Sequence, residues 1–192
     1  MLKLQTKSNK GFTLIELLVV ISIIALLSSI VLAALNDARA KARDARRLSD
    51  MKQLQNALEL YRSDKGNYPL SSTGDTLSTI LNPTHSNYNI LKVALVDGKY
   101  ISELPNDPKS INTVAPNSAD TYNYWYYSVA DTANNTGMYG CTRGQAYWLV
   151  FRSEKMPQDK LNGPGFIKCD DNTPYTSAVF RTGLWITGVS GK

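Results

Sequence analysis

Between Phe12 and Leu35 the chain runs through 24 residues, of which nineteen are apolar, interrupted only by Thr13, Glu16, Ser22, Ser28 and Ser29. As a helix this window rises about 36 Å at ~1.5 Å per residue, enough to cross the hydrocarbon of a bilayer. A membrane span is therefore the first expectation, and a chain of 192 residues then has room for one modest further domain. Glu16 does not fit a plain anchor. A carboxylate at mid-depth costs roughly 2.5 to 3.5 kcal/mol on insertion scales and is rare without a partner. Near a helix end the cost falls, because the side chain reaches water, and for a lone acid that is the bland reading. Here the acid has company: Lys3, Lys7 and Lys10 lead into Gly11, Phe12 follows, and Glu16 comes four residues later.

The segment Gly11-Phe12-Thr13-Leu14-Ile15-Glu16 behind that basic leader resembles the class III signal and N-terminal helix of type IV pilins and type II secretion pseudopilins. The resemblance implies that a membrane-embedded prepilin peptidase cuts after Gly11 on the cytoplasmic side and N-methylates Phe12. It also implies that Glu16 registers against the N-terminal amine of a neighbouring copy, since a buried acid and a buried amine each remove the other's desolvation penalty. Residues 1–11 are then a targeting leader, set apart from the fold, and no A-x-A-like site follows the apolar run. Losing the leader's three lysines lowers the formal charge from +5 to +2, which weakens a nucleic-acid reading of the basic composition.

The implied fold is α+β and pilin-like: one long N-terminal helix, half transmembrane and half amphipathic, packed on a small antiparallel sheet. The divisions are the leader 1–11, an assembly helix 12–35, an amphipathic helix 36–64 and a globular head 65–192. The implied partners are further copies in a homo-oligomeric filament, the prepilin peptidase, an inner-membrane assembly platform with its ATPase, and minor pilins or pseudopilins. The subunit would cross the inner membrane once with its head outside the cytoplasm, then enter an extracellular pilus or a periplasmic pseudopilus. Many such helices contain a Pro or Gly; residues 12 to 65 contain neither. Arg39, Lys41, Arg43, Arg46 and Arg47 outnumber the leader lysines, a balance that taken alone favours the opposite orientation.

From Asn36 to Ser63 the repeat stays helical. Ala38, Ala42, Ala45, Leu48, Met51, Leu54, Leu58 and Tyr61 fall at spacings of three or four, with Arg39, Arg43, Arg46, Asp50 and Lys52 on other faces. The Arg-rich face reads as a solvated or lipid-headgroup surface. Gly66 suits a left-handed C-terminal cap and Pro69 prevents the helix from resuming. Residues 70 to 90 read as a surface loop with a short helix at Leu77 to Leu81. His85 reads as an exposed loop residue, because a metal centre needs more ligands. Ile90 to Val96 reads as a short helix. Leu104-Pro105-Asn106-Asp107-Pro108 is an ordered turn, similar to the loop joining helix and sheet in major pseudopilins, and Asp107 has no catalytic partner in the sequence.

Beyond it, Tyr122 to Val129, Ala146 to Arg152 and Ala178 to Val189 are aromatic and β-branched runs. They are separated by Asn134-Asn135-Thr136-Gly137 and Asn162-Gly163-Pro164-Gly165. They predict an antiparallel sheet of three or four strands against the lower helix, with most aromatics in packing rather than stacked on bases or sugars. Cys141 and Cys169 are the only cysteines. In a head outside the cytoplasm they read as one disulfide, similar to the C-terminal bridge of many type IV pilins, and worth ~3.5 kcal/mol by loop entropy. The alternative, two buried thiols, requires a reducing compartment. Asp170, Asp171 and Asn172 raise a calcium question, because major pseudopilins bind Ca²⁺ in a C-terminal loop, but the spacing is not that of an EF-hand and a turn is the simpler reading. Asn134-Asn135-Thr136 is a formal glycosylation triplet.

There is no Gly-x-Ser-x-Gly, His-Glu-x-x-His or Walker loop, and a single histidine builds neither a triad nor a metal centre, so no enzyme and no cofactor are expected. The leading expectation is a prepilin that polymerises into a type IV pilus, favoured by the disulfide and the longer head. The alternative is the major pseudopilin of a type II secretion system, favoured by the Leu-Pro-x-Asp-Pro turn. A third reading is a single-pass protein whose head binds a ligand or DNA.

Overall fold

The computed structural model describes residues 11–71, 78–85, 87–110, 122–128, 144–156, 166–167, 174–175 and 184–190. Two compact units divide it, Met1–Arg39 and Ala40–Lys192. Helix α1 covers Leu14–Lys65 without interruption, as expected where no Pro removes an amide donor and no Gly loosens the backbone.

In the first unit the apolar side chains of α1 are exposed, from Leu14 at 79% to Leu35 at 40%. The segment is long and apolar enough to cross a membrane by length and composition. Its serines do not break it. Ser22 Oγ donates to the Val19 carbonyl at 2.8 Å and Ser29 Oγ to the Leu26 carbonyl at 2.7 Å, so these hydroxyls are satisfied by the helix itself.

In the second unit, α1 buries Ala40, Asp44, Arg47, Asp50, Met51, Leu54, Ala57 and Leu58. The lower part of the expected stripe is confirmed, but the upper part is not. Ala38, Ala42, Ala45 and Leu48 are exposed, and the inward positions at their level carry Ala40, Asp44 and Arg47. Alanines hide little area whichever way they face, so here charge pairing sets the direction of the helix. The helix stops as expected: Gly66 adopts φ +80° and its N–H donates to the Arg62 carbonyl at 2.7 Å.

Strands β1 (Ser78–Ile80), β2 (Tyr124–Ser128), β3 (Ala146–Arg152) and β6 (Leu184–Ser190) form an antiparallel sheet in the order β1-β2-β3-β6, while β4 (Phe166–Ile167) pairs with β5 (Pro174–Tyr175). The expected short helix at Leu77 to Leu81 is instead the edge strand β1. Its three residues pair with β2 from Ser78↔Tyr127 to Ile80↔Trp125, and sheet pairing outweighs the weak local preference of so short a segment. A short helix does form at α2 (Tyr88–Lys92), running on into a π turn over Val93–Asp97.

Alternation sorts the strands as a pleated sheet requires. Tyr124 and Tyr126 of β2 and Tyr147, Leu149 and Phe151 of β3 join Met51, Leu54, Ala57 and Leu58 of α1 in one core, with Leu91, Leu95 and Leu104. Tyr68, just past the helix, packs edge-on against Tyr147 at 4.6 Å between ring centres. Gly144 seats that corner: its carbonyl accepts from Tyr68 N–H at 2.7 Å, and its φ of +71° places a Cβ 3.0 Å from Asn67 Cβ, which only glycine avoids. The turn at Leu104 to Pro108 is ordered, with Asp107 accepting the Lys109 N–H at 2.8 Å in an Asx arrangement.

The leader up to Lys10, Cys141 and Cys169, the calcium candidates Asp170, Asp171 and Asn172, the Asn134 triplet and the Asn162 to Gly165 turn lie outside the described residues.

Candidate functional site

At the start of α1, Gly11 and Phe12 precede the helix and Thr13 caps it. Thr13 N–H and Thr13 Oγ donate to Glu16 Oε2 at 2.8 and 2.7 Å, and Glu16 N–H donates back to Thr13 Oγ1 at 3.2 Å. This is a capping box, in which the side chains three residues apart satisfy orphan donors of the first turn. The Thr-x-x-Glu spacing was available in the sequence and is a second, local explanation for the acid. Glu16 Oε1 accepts no hydrogen bond among the described residues, and Phe12 is 74% exposed. The carboxylate is thus fixed by one oxygen and available through the other, one turn from the residue that would carry the new amine.

The second site lies in the head and was missed by sequence reasoning. Arg47, counted in the sequence only as one of the cations that follow the span, has a side chain with no exposure. Its Nε and Nη2 donate to Asp107 Oδ2 and Oδ1 at 2.8 and 2.9 Å, a two-pronged pair across 60 residues. Its Nη1 donates to Asp44 Oδ1 and to Glu154 Oε1, both at 2.8 Å. Glu154 also accepts from Arg43 Nε and Nη2 at 2.8 and 2.7 Å and from Lys109 Nζ at 3.2 Å. Arg43 and Arg47 are therefore not a solvated or headgroup surface. Desolvating a guanidinium is unfavourable unless carboxylates surround it, and here three do.

Asp44 holds the segment that follows β3. It accepts the N–H of Glu154 at 3.0 Å, the N–H of Lys155 at 2.8 Å and the hydroxyl of Ser153 at 2.9 Å. Half-buried Tyr122 lies over the cluster, its ring centre 5.0 Å from Arg47 Cζ, 4.3 Å from Lys109 Nζ and 5.7 Å from Arg152 Cζ. Hydrogen bonds from Arg43, working against burial, hold the Glu154 carboxyl down to about 2. For Asp44, burial pushes upward but the Glu154 and Lys155 amides with Ser153 and Arg47 outweigh it, and the carboxyl is held low. Asp50 goes the other way: burial raises it, although Tyr124 Oη donates to it at 2.6 Å.

The signal that could have found this site is the pair of prolines around Asp107. A rigid turn ending in an acid, together with five cations between Arg39 and Arg47 of one helix, invites a bidentate Arg partner, although no spacing names which one. His85 is half-buried, and its Nδ1 accepts the Asn87 N–H at 3.3 Å. Among the described residues no cluster of His, Cys, Asp or Glu is arranged to hold a metal ion.

Comparison with known proteins divides along the same line. The prokaryotic N-terminal methylation motif matches residues 6–32, and the type II secretion system protein G model matches residues 32–137. The type II secretion system core protein G of Aeromonas hydrophila is 36% identical over 110 residues, 55% of this chain and 71% of that protein. Its counterpart in Escherichia coli K12 is 39% identical over 106 residues, 54% of this chain and 68% of the other. The fimbrial protein EcpC of Eikenella corrodens is 33% identical over 90 residues, 47% of this chain and 59% of that protein. No solved structure matches. Between the two filament readings, these matches support the pseudopilin alternative better than the type IV pilus expected first. An apolar span behind a Gly-Phe-Thr-Leu-Ile-Glu motif, a four-stranded antiparallel head and a family match over more than half the chain place this protein in the type II secretion system protein G family of pseudopilins.

Proposed function

We propose that the chain is the major pseudopilin of a type II secretion system, a structural subunit rather than an enzyme. The match of the protein G model to residues 32–137 carries this reading, because it extends past the methylation motif into the head. In this reading prepilin peptidase removes residues 1–11 and methylates the amine of Phe12. The inner membrane holds the subunit by α1 until the assembly platform and its ATPase add it to a periplasmic pseudopilus with minor pseudopilins. Glu16 supplies the carboxylate that meets the Phe12 amine of a neighbouring copy. The capping box supports this role, since it aims one oxygen into the helix and leaves the other available. In lipid each charge relieves the other, so assembly is favoured only when copies are in register.

The test is expression of the full chain with a prepilin peptidase and a secretion assembly platform, followed by mass spectrometry and filament recovery. The expected mature protein begins at N-methyl-Phe12. Glu16→Ala is expected to be processed normally and to lose most filament yield. Retention of residues 1–11, or undiminished yield from Glu16→Ala, overturns the proposal. The likeness to fimbrial protein EcpC favours a second reading, a type IV pilus subunit. Assembly of long surface fibres by a pilus platform, with none by the secretion platform, would select it.

A further inference from the structure

The cations that follow the span do not share one fate. Arg43 and Arg47 are paired with carboxylates in the head, and Arg46 lies 3.9 Å from Asp50. Arg39 and Lys41 are exposed, and neither has a carboxylate within ion-pair distance among the described residues. What they meet is set by their place on α1.

Arg39 and Lys41 stand four and six residues past Leu35, where the apolar run ends. Along the helix that is a rise of about 6 and 9 Å at ~1.5 Å per residue. The headgroup layer occupies about 5 to 8 Å on each side of the hydrocarbon, and helical Cβ atoms lean toward the N-terminus, here toward the span. Both cationic groups therefore reach the headgroup layer on their apolar stems.

Their spacing fits lipid better than a protein surface. Positions two apart on a helix differ by about 200° around its axis, so Arg39 and Lys41 leave α1 on opposite sides. A neighbouring chain covers one face of a helix, whereas lipid surrounds it. Asp37 is the one acid of Asn36–Lys41, so the surplus is a single positive charge and the expected effect is modest.

We propose that Arg39 and Lys41 form a cationic collar on α1 that gathers anionic phospholipids where the chain leaves the bilayer. Arg39 takes a headgroup phosphate by a two-pronged contact and Lys41 takes one as a point charge. The collar goes beyond the pseudopilin reading: it needs the apolar run to cross a bilayer, but neither cleavage at Gly11 nor assembly through Glu16. It also gives a use to cations that, by the positive-inside balance, oppose an outward head.

The test is the full chain in phosphatidylcholine vesicles doped with spin-labelled phosphatidylglycerol or spin-labelled phosphatidylcholine. Electron paramagnetic resonance reads the motionally restricted fraction of each label. Phosphatidylglycerol is expected to be enriched about threefold to fivefold at the protein in dilute salt, as for one net cation at a charged surface. In about 1 M salt, where charges are screened within about 3 Å, the enrichment should fall below about 1.5-fold. Arg39→Gln/Lys41→Gln should lose it, whereas Lys52→Gln/Lys92→Gln, which removes two exposed cations elsewhere, should keep it. All four side chains are exposed, so both variants should melt within about 2 °C of the parent.

Equal restriction of the two lipids by the parent, or enrichment that survives Arg39→Gln/Lys41→Gln, overturns the proposal. A chain that fails to insert overturns it as well, since a collar has no place without a span. Equal restriction together with filament yield lost in Arg39→Gln/Lys41→Gln would assign both cations to carboxylates of a neighbouring copy instead. Failure of Glu16-dependent assembly would leave the lipid enrichment intact, which separates a failed pseudopilin reading from a failed collar.

Discussion

Helix α1 is one continuous element with two opposite ways of treating charge. In Leu14–Leu35 the exposed side chains are largely apolar, and the single acid of that stretch, Glu16, is held by its own first turn. From Ala40 onward the outward face is largely polar and the inward face carries Asp44, Arg47 and Asp50 among apolar residues. Backbone conformation is the same in both halves, so propensity explains neither pattern. What differs is the surroundings: a lipid-facing helix has to satisfy its polar groups locally, whereas a helix against a folded head can import partners from 60 to 110 residues away.

The contrast breaks most sharply at the cations. Arg47→Met alone leaves Asp107 buried without its counter-charge and should destabilise the head by about 3 to 5 kcal/mol in urea unfolding. Arg39→Met, on an exposed position of the first unit, should stay within about 0.5 kcal/mol. Equal effects would mean that the cluster is no more than a surface network.

A smaller effect is expected in acid. Glu154 is lowered from 4.5 to about 2 and Asp44 is lowered as well. A carboxyl with a depressed folded value contributes stability above its unfolded value and loses it as pH falls through the folded one. The melting midpoint should therefore decline between about pH 4.5 and pH 2, and Glu154→Gln should flatten part of that decline. Asp50 is raised, so its contribution has the opposite sign: it is present below the unfolded value and is lost as pH rises through the folded one. Asp50→Asn should accordingly be neutral or mildly stabilising at pH 7. A melting midpoint that does not move in acid would remove the electrostatic half of the contrast.

The smallest effect tests polar satisfaction in the core. Tyr147 is fully buried and its hydroxyl has no hydrogen-bond partner among the described residues. Tyr147→Phe should leave the head unchanged or raise its stability by up to about 1 kcal/mol, because no bond is lost and a buried dipole is removed. A loss larger than that would reveal a partner for the hydroxyl.

Much of this protein could be read without coordinates. An uninterrupted apolar run, a Gly-Phe junction and an acid four residues later are local features, and so are the Gly66 cap and the alternating aromatics of β2 and β3. Local features survive because the physics behind them acts within a turn of helix or along one strand. The edge strand at Ser78–Ile80 was not legible in this way, since its three residues become a strand only by pairing with β2. Nor was the direction of α1 at its upper end, where alanines mark an apolar stripe that the structure turns outward. The pairing of Arg47 with Asp107, Asp44 and Glu154 was decided only in three dimensions. A sequence states the sign and position of each charge, but whether a guanidinium faces water or three carboxylates depends on which distant segments fold over it.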